Sequence, residues 1–435
     1  MKIQLPFLKG ISIICLSIFI SFFNCNSDVD VQTTEIQPLL TDVLTLELSI
    51  GEISGLKDDF ILVNPQYLDV NFAGDILVLD ESRIKVYEKS GKGKKIVGRP
   101  GQGPGEFETG PLFFLSPEGF VTVVDHAKSP KLTLHSILSS SGFESYYNLF
   151  SPNYNFIEKK KIKNKVILSE YLKTKYPDSN NTYYIAGIFT ISDTDKVYEV
   201  IVKNGSLLSD VRYNRLLLYD NSKAIDLIKE SIHLEFGVAI SEKGNINPQP
   251  IGGIYWGLIT GRKIMYVNTE EDRHIEPSGS FYTVHVLSLD TFEEQEIIHS
   301  FTPVILPENV KKRKFSMPSK SDLRKMRRST QQMFTRMEEV YNFLINDIKS
   351  RQFYPSICGL RIDRDYAFLF LNDGKDRKEK LADVIDLDTM KHVTLAEFPF
   401  IPASIKNVYV YEIAQDEEGF SEIRKYRIDP AVYGK

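Results

Sequence analysis

The run Gly98-Arg99-Pro100-Gly101-Gln102-Gly103-Pro104-Gly105-Glu106-Phe107 has the glycine density of an anion-binding loop. A phosphate loop needs its glycines to lead into a helix whose first amides hold the anion. Here Pro100 and Pro104 interrupt the run, no Lys-Ser/Thr follows, and Glu106-Phe107 leads toward Pro111. The pattern predicts a turn between two blocks of strand, with Gly101, Gly103 and Gly105 at positive φ, Pro104 fixing φ, and Glu106 and Phe107 closing it. Seven histidines (126, 135, 233, 274, 285, 299, 392) are scattered along the chain. None forms His-Glu-x-x-His, and no Cys-x-x-Cys occurs, so the spacing assigns no metal. Asp193-Thr194-Asp195, Asp363-Arg364-Asp365 and Asp373-Gly374-Lys375-Asp376 read as acidic turns, because none has calcium-loop spacing. A Gly-x-Ser-x-Gly nucleophile elbow is also absent. No residue is marked as catalytic.

Two further features bear on partners. Basic residues crowd the stretch 311–351, among them Arg324, Lys325, Arg327 and Arg328. They suit an anionic surface or acidic partner, or a solvated helix face. A net charge of −5 is too mild to predict nucleic acid for the whole chain. At the N-terminus, Lys2 and Lys9 precede the apolar run Ile11–Phe23, the pattern of an export signal over residues 1–24. About 13 apolar residues fall short of the roughly 20 that span a bilayer. Cys25 stands where a lipoprotein signal places its lipidated cysteine, although Asn24 is larger than the residue usually found there. Ordinary cleavage and an uncleaved anchor are the two alternatives. Residues 25–42 then read as a tether to a membrane. With Cys15 inside the apolar run, Cys358 is left unpaired and a disulfide framework is excluded.

The elements that would position such groups are short strands. Ile76-Leu77-Val78-Leu79 is a buried run, Asp80-Glu81-Ser82 turns, Ile84-Lys85-Val86-Tyr87 partly alternates, and Ser90-Gly91 turns back toward Ile96-Val97. This is an antiparallel meander of the kind that forms a propeller blade. Asn71–Gly74 before one apolar run matches Ser116–Gly119 before another, 45 residues on, about one blade. Val286–Thr291 and Val384–Thr389 form a second matching pair, 98 residues apart. The excess is an insertion at 311–351, where Leu323, Met326, Met333, Met337, Val340, Leu344 and Ile348 predict an amphipathic helix of about seven turns. A shorter helix is expected at 223–231, with strands at 165–172, 182–191 and 197–202. Val43–Ile50 is expected to complete the last blade by pairing with strands near 406–428.

The order from Ile76 to the Gly-Gln-Gly-Pro-Gly-Glu-Phe loop resembles the first full blade of six-bladed β-propellers. It is similar to bacterial lipoproteins with NHL-repeat or TolB-like propellers. The resemblance is strong over residues 65–125 and returns near 353–430. It implies an all-β fold of six four-stranded antiparallel blades over residues 43–432, with seven blades also fitting the length, interrupted by the helical insertion. It further implies a non-catalytic, membrane-anchored envelope protein that binds a protein, peptide or glycan, with no cofactor. The alternative it carries is a calcium-dependent hydrolase or lyase with its metal in the central channel.

Overall fold

The turn at Asn71–Gly74 shows how the sequence breaks into strands. Gly74, at φ +89°, donates its amide to Asn71 O at 3.0 Å, and Asn71 N reaches Asp75 O at 3.1 Å. The turn recurs at Ser116–Gly119, where Gly119 has φ +90° and the same amide bond is 3.0 Å long. It recurs again at Asp416–Gly419, with Gly419 at φ +88°. Each position lies in a region that favours glycine, so the turn is written into the sequence.

The computed structural model describes residues 39–51, 58–107, 111–126, 145–162, 182–192, 195–203, 212–219, 224–228, 231–232, 237–240, 246–249, 253–308, 351–372 and 379–435, together with 174 and 349. β1 is Leu44–Ile50. Blade 1 is β2 (Pro65–Val70), β3 (Ile76–Asp80), β4 (Arg83–Tyr87) and β5 (Gly93–Val97). Blade 2 is β6 (Leu112–Leu115), β7 (Val121–His126), β8 (Ser145–Phe150) and β9 (Phe156–Ile162). Blade 3 is β10 (Thr182–Thr190), β11 (Lys196–Lys203) and β12 (Arg212–Tyr219), with a fourth strand in two pieces, β13 (Ala224–Asp226) and β14 (Ser231–Ile232). A separate hairpin, β15 (Gly237–Ile240) and β16 (Ile246–Gln249), follows. Blade 4 is β17 (Ile254–Ile259), β18 (Lys263–Asn268) continued by β19 (Arg273–Glu276), β20 (Gly279–Ser288) and β21 (Glu294–Ser300). Blade 5 is β22 (Ile357–Asp363), β23 (Tyr366–Leu371), β24 (Lys380–Asp386) and β25 (Lys391–Phe398). Blade 6 is β26 (Ser404–Lys406), β27 (Tyr409–Gln415), β28 (Ser421–Ile428) and, as its outermost strand, β1.

Ring closure follows from the packing. Six apolar clusters fill six seams, one between each pair of neighbouring blades. Leu77 and Val86 of blade 1 meet Phe113 and Val123 of blade 2, while Leu68 and Val78 meet Tyr411 and Ile423 of blade 6. The strands are buried on both faces because each blade is sandwiched by two others. The N-terminal β1 pairs antiparallel with β28, Leu44 opposite Ile428, and so covers the edge of the last blade. The fold is a six-bladed β-propeller.

The expected helix at 223–231 is corrected to strand. Ala224–Asp226 pairs with Leu217–Tyr219 and Ser231–Ile232 with Tyr213–Asn214, so cross-strand pairing overrides local helix propensity. The expected strands at 182–191 and 197–202 are β10 and β11, whereas that at 165–172 lies outside the described residues. The helical insertion also falls almost entirely outside them. Its two ends meet: Leu306 N donates to Gln352 O at 2.9 Å and Tyr354 N to Val304 O at 2.9 Å. Arg351 pairs with Glu270 at 2.8 Å, holding this neck against blade 4.

Candidate functional site

The six innermost strands (β2, β6, β10, β17, β22 and β26) surround a channel, and each contributes residues near its C-terminal end to one cavity of about 280 Å³. The wall mixes aromatic with charged groups: Tyr67, Phe72 and Trp256 with Asp69, Arg361 and Lys406. Asp69 is held by Ser404 Oγ at 2.8 Å and by the Val70 amide at 2.8 Å. Arg361 donates Nε to Pro402 O at 2.7 Å and Nη1 to Leu360 O at 2.7 Å, which commits two of the five guanidinium donors. Lys406 donates to Ile362 O at 2.8 Å and lies 5.0 Å over the Phe72 ring. Burial lowers the Lys406 ammonium from its usual value, with Asp69 and Asp363 opposing that shift. Cations, a carboxylate and aromatic rings thus stand together around one small cavity.

Behind this wall stands an unusual acid. Glu199 of β11 faces blade 4, where it accepts a hydrogen bond from the Trp256 indole, and burial pushes its carboxyl up to about 7 against that bond. Its cross-strand partner is Gly187, reached by a register shift after Ile185. A Cβ at Gly187 would lie 2.9 Å from the Phe189 ring and 3.4 Å from Glu199 Oε2, so the missing side chain makes room for both. Phe189 packs edge-on to Trp256 at 4.5 Å, joining the acid to the channel wall.

The glycine loop lies elsewhere, on the path from β5 to β6. Its amides are engaged: Gly101 N bonds Phe107 O at 2.9 Å, Gly103 N bonds Glu106 Oε2 at 2.7 Å, and Gly105 N bonds Asn148 Oδ1 at 3.3 Å. The Gly103 amide and Arg99 hold the Glu106 carboxyl below its usual value. Phe107 is fully buried against Gly98, where a Cβ would lie 2.1 Å from its ring. Cys25, Arg324, Lys325, Arg327 and Arg328 lie outside the described residues.

Sequence spacing assigned the histidines no metal, but the fold draws several of them together. His299, Asp383 and His392 meet in the seam between blades 4 and 5, and His285 meets Glu294 and Glu296 on blade 4. In the first group His299 and Asp383 are buried and His392 is partly buried, with Tyr282 OH donating to Asp383 Oδ2 at 2.6 Å. In the second, burial acts against the charge of His285, but the neighbouring Asp272, Glu294 and Glu296 raise its pKa overall. Neither group is in the channel, and among the described residues Asp69 is the one carboxylate in the cavity lining.

Fold and site together describe a propeller with a small polar cavity at one channel mouth. No protein-family model matches the chain, and no curated protein matches it. Among solved structures, it is similar to the "putative exported protein" of Bacteroides fragilis NCTC 9343, at 14% identity and TM-score 0.44 over 90% of this chain and 98% of that one. It is also similar to an uncharacterized protein of Listeria monocytogenes EGD-e, at 6% identity and TM-score 0.33, covering 85% and 82% of the two chains. A third is the β-propeller domain of the Trilobed protease of Pyrococcus furiosus, at 8% identity and TM-score 0.31, covering 83% and 96%. Likenesses at this level carry no activity across, and the propeller assignment rests on the sheet order and the six packed seams.

Proposed function

We propose that this chain is an exported, non-catalytic propeller of the NHL-repeat or TolB-like lipoprotein kind, tethered through Cys25. It takes a peptide or glycan segment of a cell-envelope partner at the channel mouth. The observation that carries this reading is the cavity itself, where Tyr67 and Trp256 line the wall together with Asp69, Arg361 and Lys406. Sugars and extended peptides combine apolar faces with many hydrogen-bonding groups, which is what such a lining complements. The basic stretch containing Arg324, Lys325, Arg327 and Arg328 is a second contact for anionic groups of that partner.

A hydrolase or lyase is the second reading, favoured by a carboxyl near neutrality beside the channel. Glu199 is not part of the cavity lining, however, so it reaches a ligand only through Trp256 and Phe189. The two readings separate in one experiment. Trp256 is the only tryptophan of the chain, so its fluorescence reports on the channel mouth directly. Titration with panels of oligosaccharides and short peptides should give a saturable change for one class, with the added compound recovered intact. The change should be lost in Tyr67→Ala and weakened in Arg361→Gln. A response that survives both substitutions, or none from either panel, would overturn the channel assignment. Conversion of the compound would favour the enzyme. Mass and detergent partitioning of wild type against Cys25→Ala test the tether separately.

A further inference from the structure

We propose that His299, Asp383 and His392 form a binding site for a transition-metal ion of the zinc class, located in the seam between blades 4 and 5. The ligand atoms come from three strands of two blades: His299 from β21, Asp383 from β24 and His392 from β25. Asp383 shares its face of β24 with Ile385, and that face packs against Tyr282 and Val284 of blade 4. In regular pairing Asp383 lies opposite Leu395, which would put His392 on the other face of β25. A bulge intervenes: Val384 pairs with Thr394, but Ile385 pairs with His392. Residue 393 is the extra one, and it turns His392 onto the face that carries Asp383. Bulges of this kind re-aim single side chains.

The spacing suits a metal. His299 Nε2 is 3.1 Å from Asp383 Oδ2, and His392 Nε2 is 3.5 Å from Asp383 Oδ1. The ligand atoms all lie within 4.8 Å of one another. Zinc–nitrogen and zinc–oxygen bonds of about 2.0–2.2 Å place neighbouring ligands of a tetrahedron about 3.3 Å apart. The two imidazoles stack at 4.3 Å with a 20° tilt, and both present Nε2 to the same carboxylate. Tyr282 OH holds Asp383 Oδ2 from behind at 2.6 Å, the kind of outer support that orients a metal-binding carboxylate. Two imidazoles and a carboxylate select zinc, cobalt, nickel or copper over calcium or magnesium, which take all-oxygen sets.

A second, independent observation points to a ligand. The His392 side chain is 9% exposed, and both its ring nitrogens are buried without an aligned hydrogen-bond partner. An orphaned buried polar group is costly, and a metal bound at Nε2 would remove that cost. A simple hydrogen-bonded staple would account for Tyr282, Asp383 and His299, whereas His392 meets Asp383 Oδ1 only at 3.5 Å and without hydrogen-bond alignment. The His285 group is weaker, because Glu294 and Glu296 are exposed.

The test uses the untagged purified chain, stripped with a chelator and titrated with cobalt(II) and with zinc(II). The expected result is one equivalent of cobalt giving visible d–d absorption, displaced by zinc, and a melting temperature several degrees higher with zinc than without. His392→Ala should lower zinc affinity by tenfold or more while leaving the stripped protein folded, since the side chain it removes makes no aligned hydrogen bond. Tyr282→Phe should lower it less, and His285→Ala should leave it unchanged. Absence of stoichiometric binding by the folded wild type would overturn the proposal, as would binding that His392→Ala leaves unchanged.

Discussion

Replacing Glu199 with Gln should stabilise the protein above neutral pH and do much less near pH 5. In the unfolded chain the carboxyl ionises near its ordinary 4.5, but in the fold burial holds it at about 7. Between those values the folded protein keeps a proton that the unfolded chain has released. Stability therefore falls as pH rises through this window, and the loss is complete once pH exceeds the folded value. From 4.5 to about 7, at about 1.36 kcal/mol per pH unit, ionised Glu199 costs up to about 3 kcal/mol. That is an upper bound, because the side chain retains some solvent contact. Glutamine keeps the shape and an acceptor for the Trp256 indole, yet never carries the charge. Urea unfolding of both proteins at pH 5 and pH 8 measures the difference. The gap in stability should widen by about 2–3 kcal/mol toward pH 8, with unchanged slope m. Trp256 fluorescence should titrate with a midpoint near 7 in the wild type and lose that transition in Glu199→Gln. An equal gap at both pH values, or a variant less stable at pH 8, would refute the burial argument.

Gly187→Ala should cost about 1–3 kcal/mol, because its methyl would sit 2.9 Å from a Phe189 ring already wedged between Phe114 and Trp256. Denaturant unfolding checks the cost, and a shifted Trp256 emission maximum should accompany it. Tyr154→Phe removes the 2.7 Å bond to buried Asp75 and the acceptor for Asn71 Nδ2, at an expected cost of about 1–3 kcal/mol. The loss should appear as a lower midpoint in thermal unfolding, with the cooperative transition retained.

Much of the fold was legible because each blade is local. The meander from Ile76 to Val97 is made by strands that pair with their chain neighbours; its second turn carries Gly91 at φ +86°, while its first places Glu81 and Ser82 at positive φ. The pairing of β1 with β28 was also readable, since a ring needs its edge covered. The innermost β2 was not, because Pro65-Gln66-Tyr67-Leu68-Asp69-Val70 puts channel-lining polar groups where an apolar run would mark a strand. The fourth strand of blade 3 carries no strand signal, because its two pieces are too short to show a period of two. The channel residues come from six blades, so no local motif could have joined Tyr67 to Arg361.

Both unusual groups reach their places through breaks in strand alternation, and that explains why spacing rules missed them. Five seams show how this fold ordinarily treats polar residues. Asp75 meets Tyr154, Thr122 meets Thr190 at 2.9 Å, and Tyr282 meets Asp383. Asp363 accepts from the Asn407 and Val408 amides at 2.7 and 2.9 Å, and Asp69 accepts from Ser404. A satisfied pair fixes the register of two blades that apolar packing alone would let slide. Glu199 and His392 do not follow that pattern. Each is opposite or beside an irregular register position, and each carries an electrostatic or hydrogen-bonding cost that simpler side chains would avoid. Glutamine would serve the Trp256 bond and alanine would serve the blade 5 seam if stability were all that these positions supplied. The acid beside the channel and the imidazole beside Asp383 are therefore where ligand and metal chemistry should be sought first.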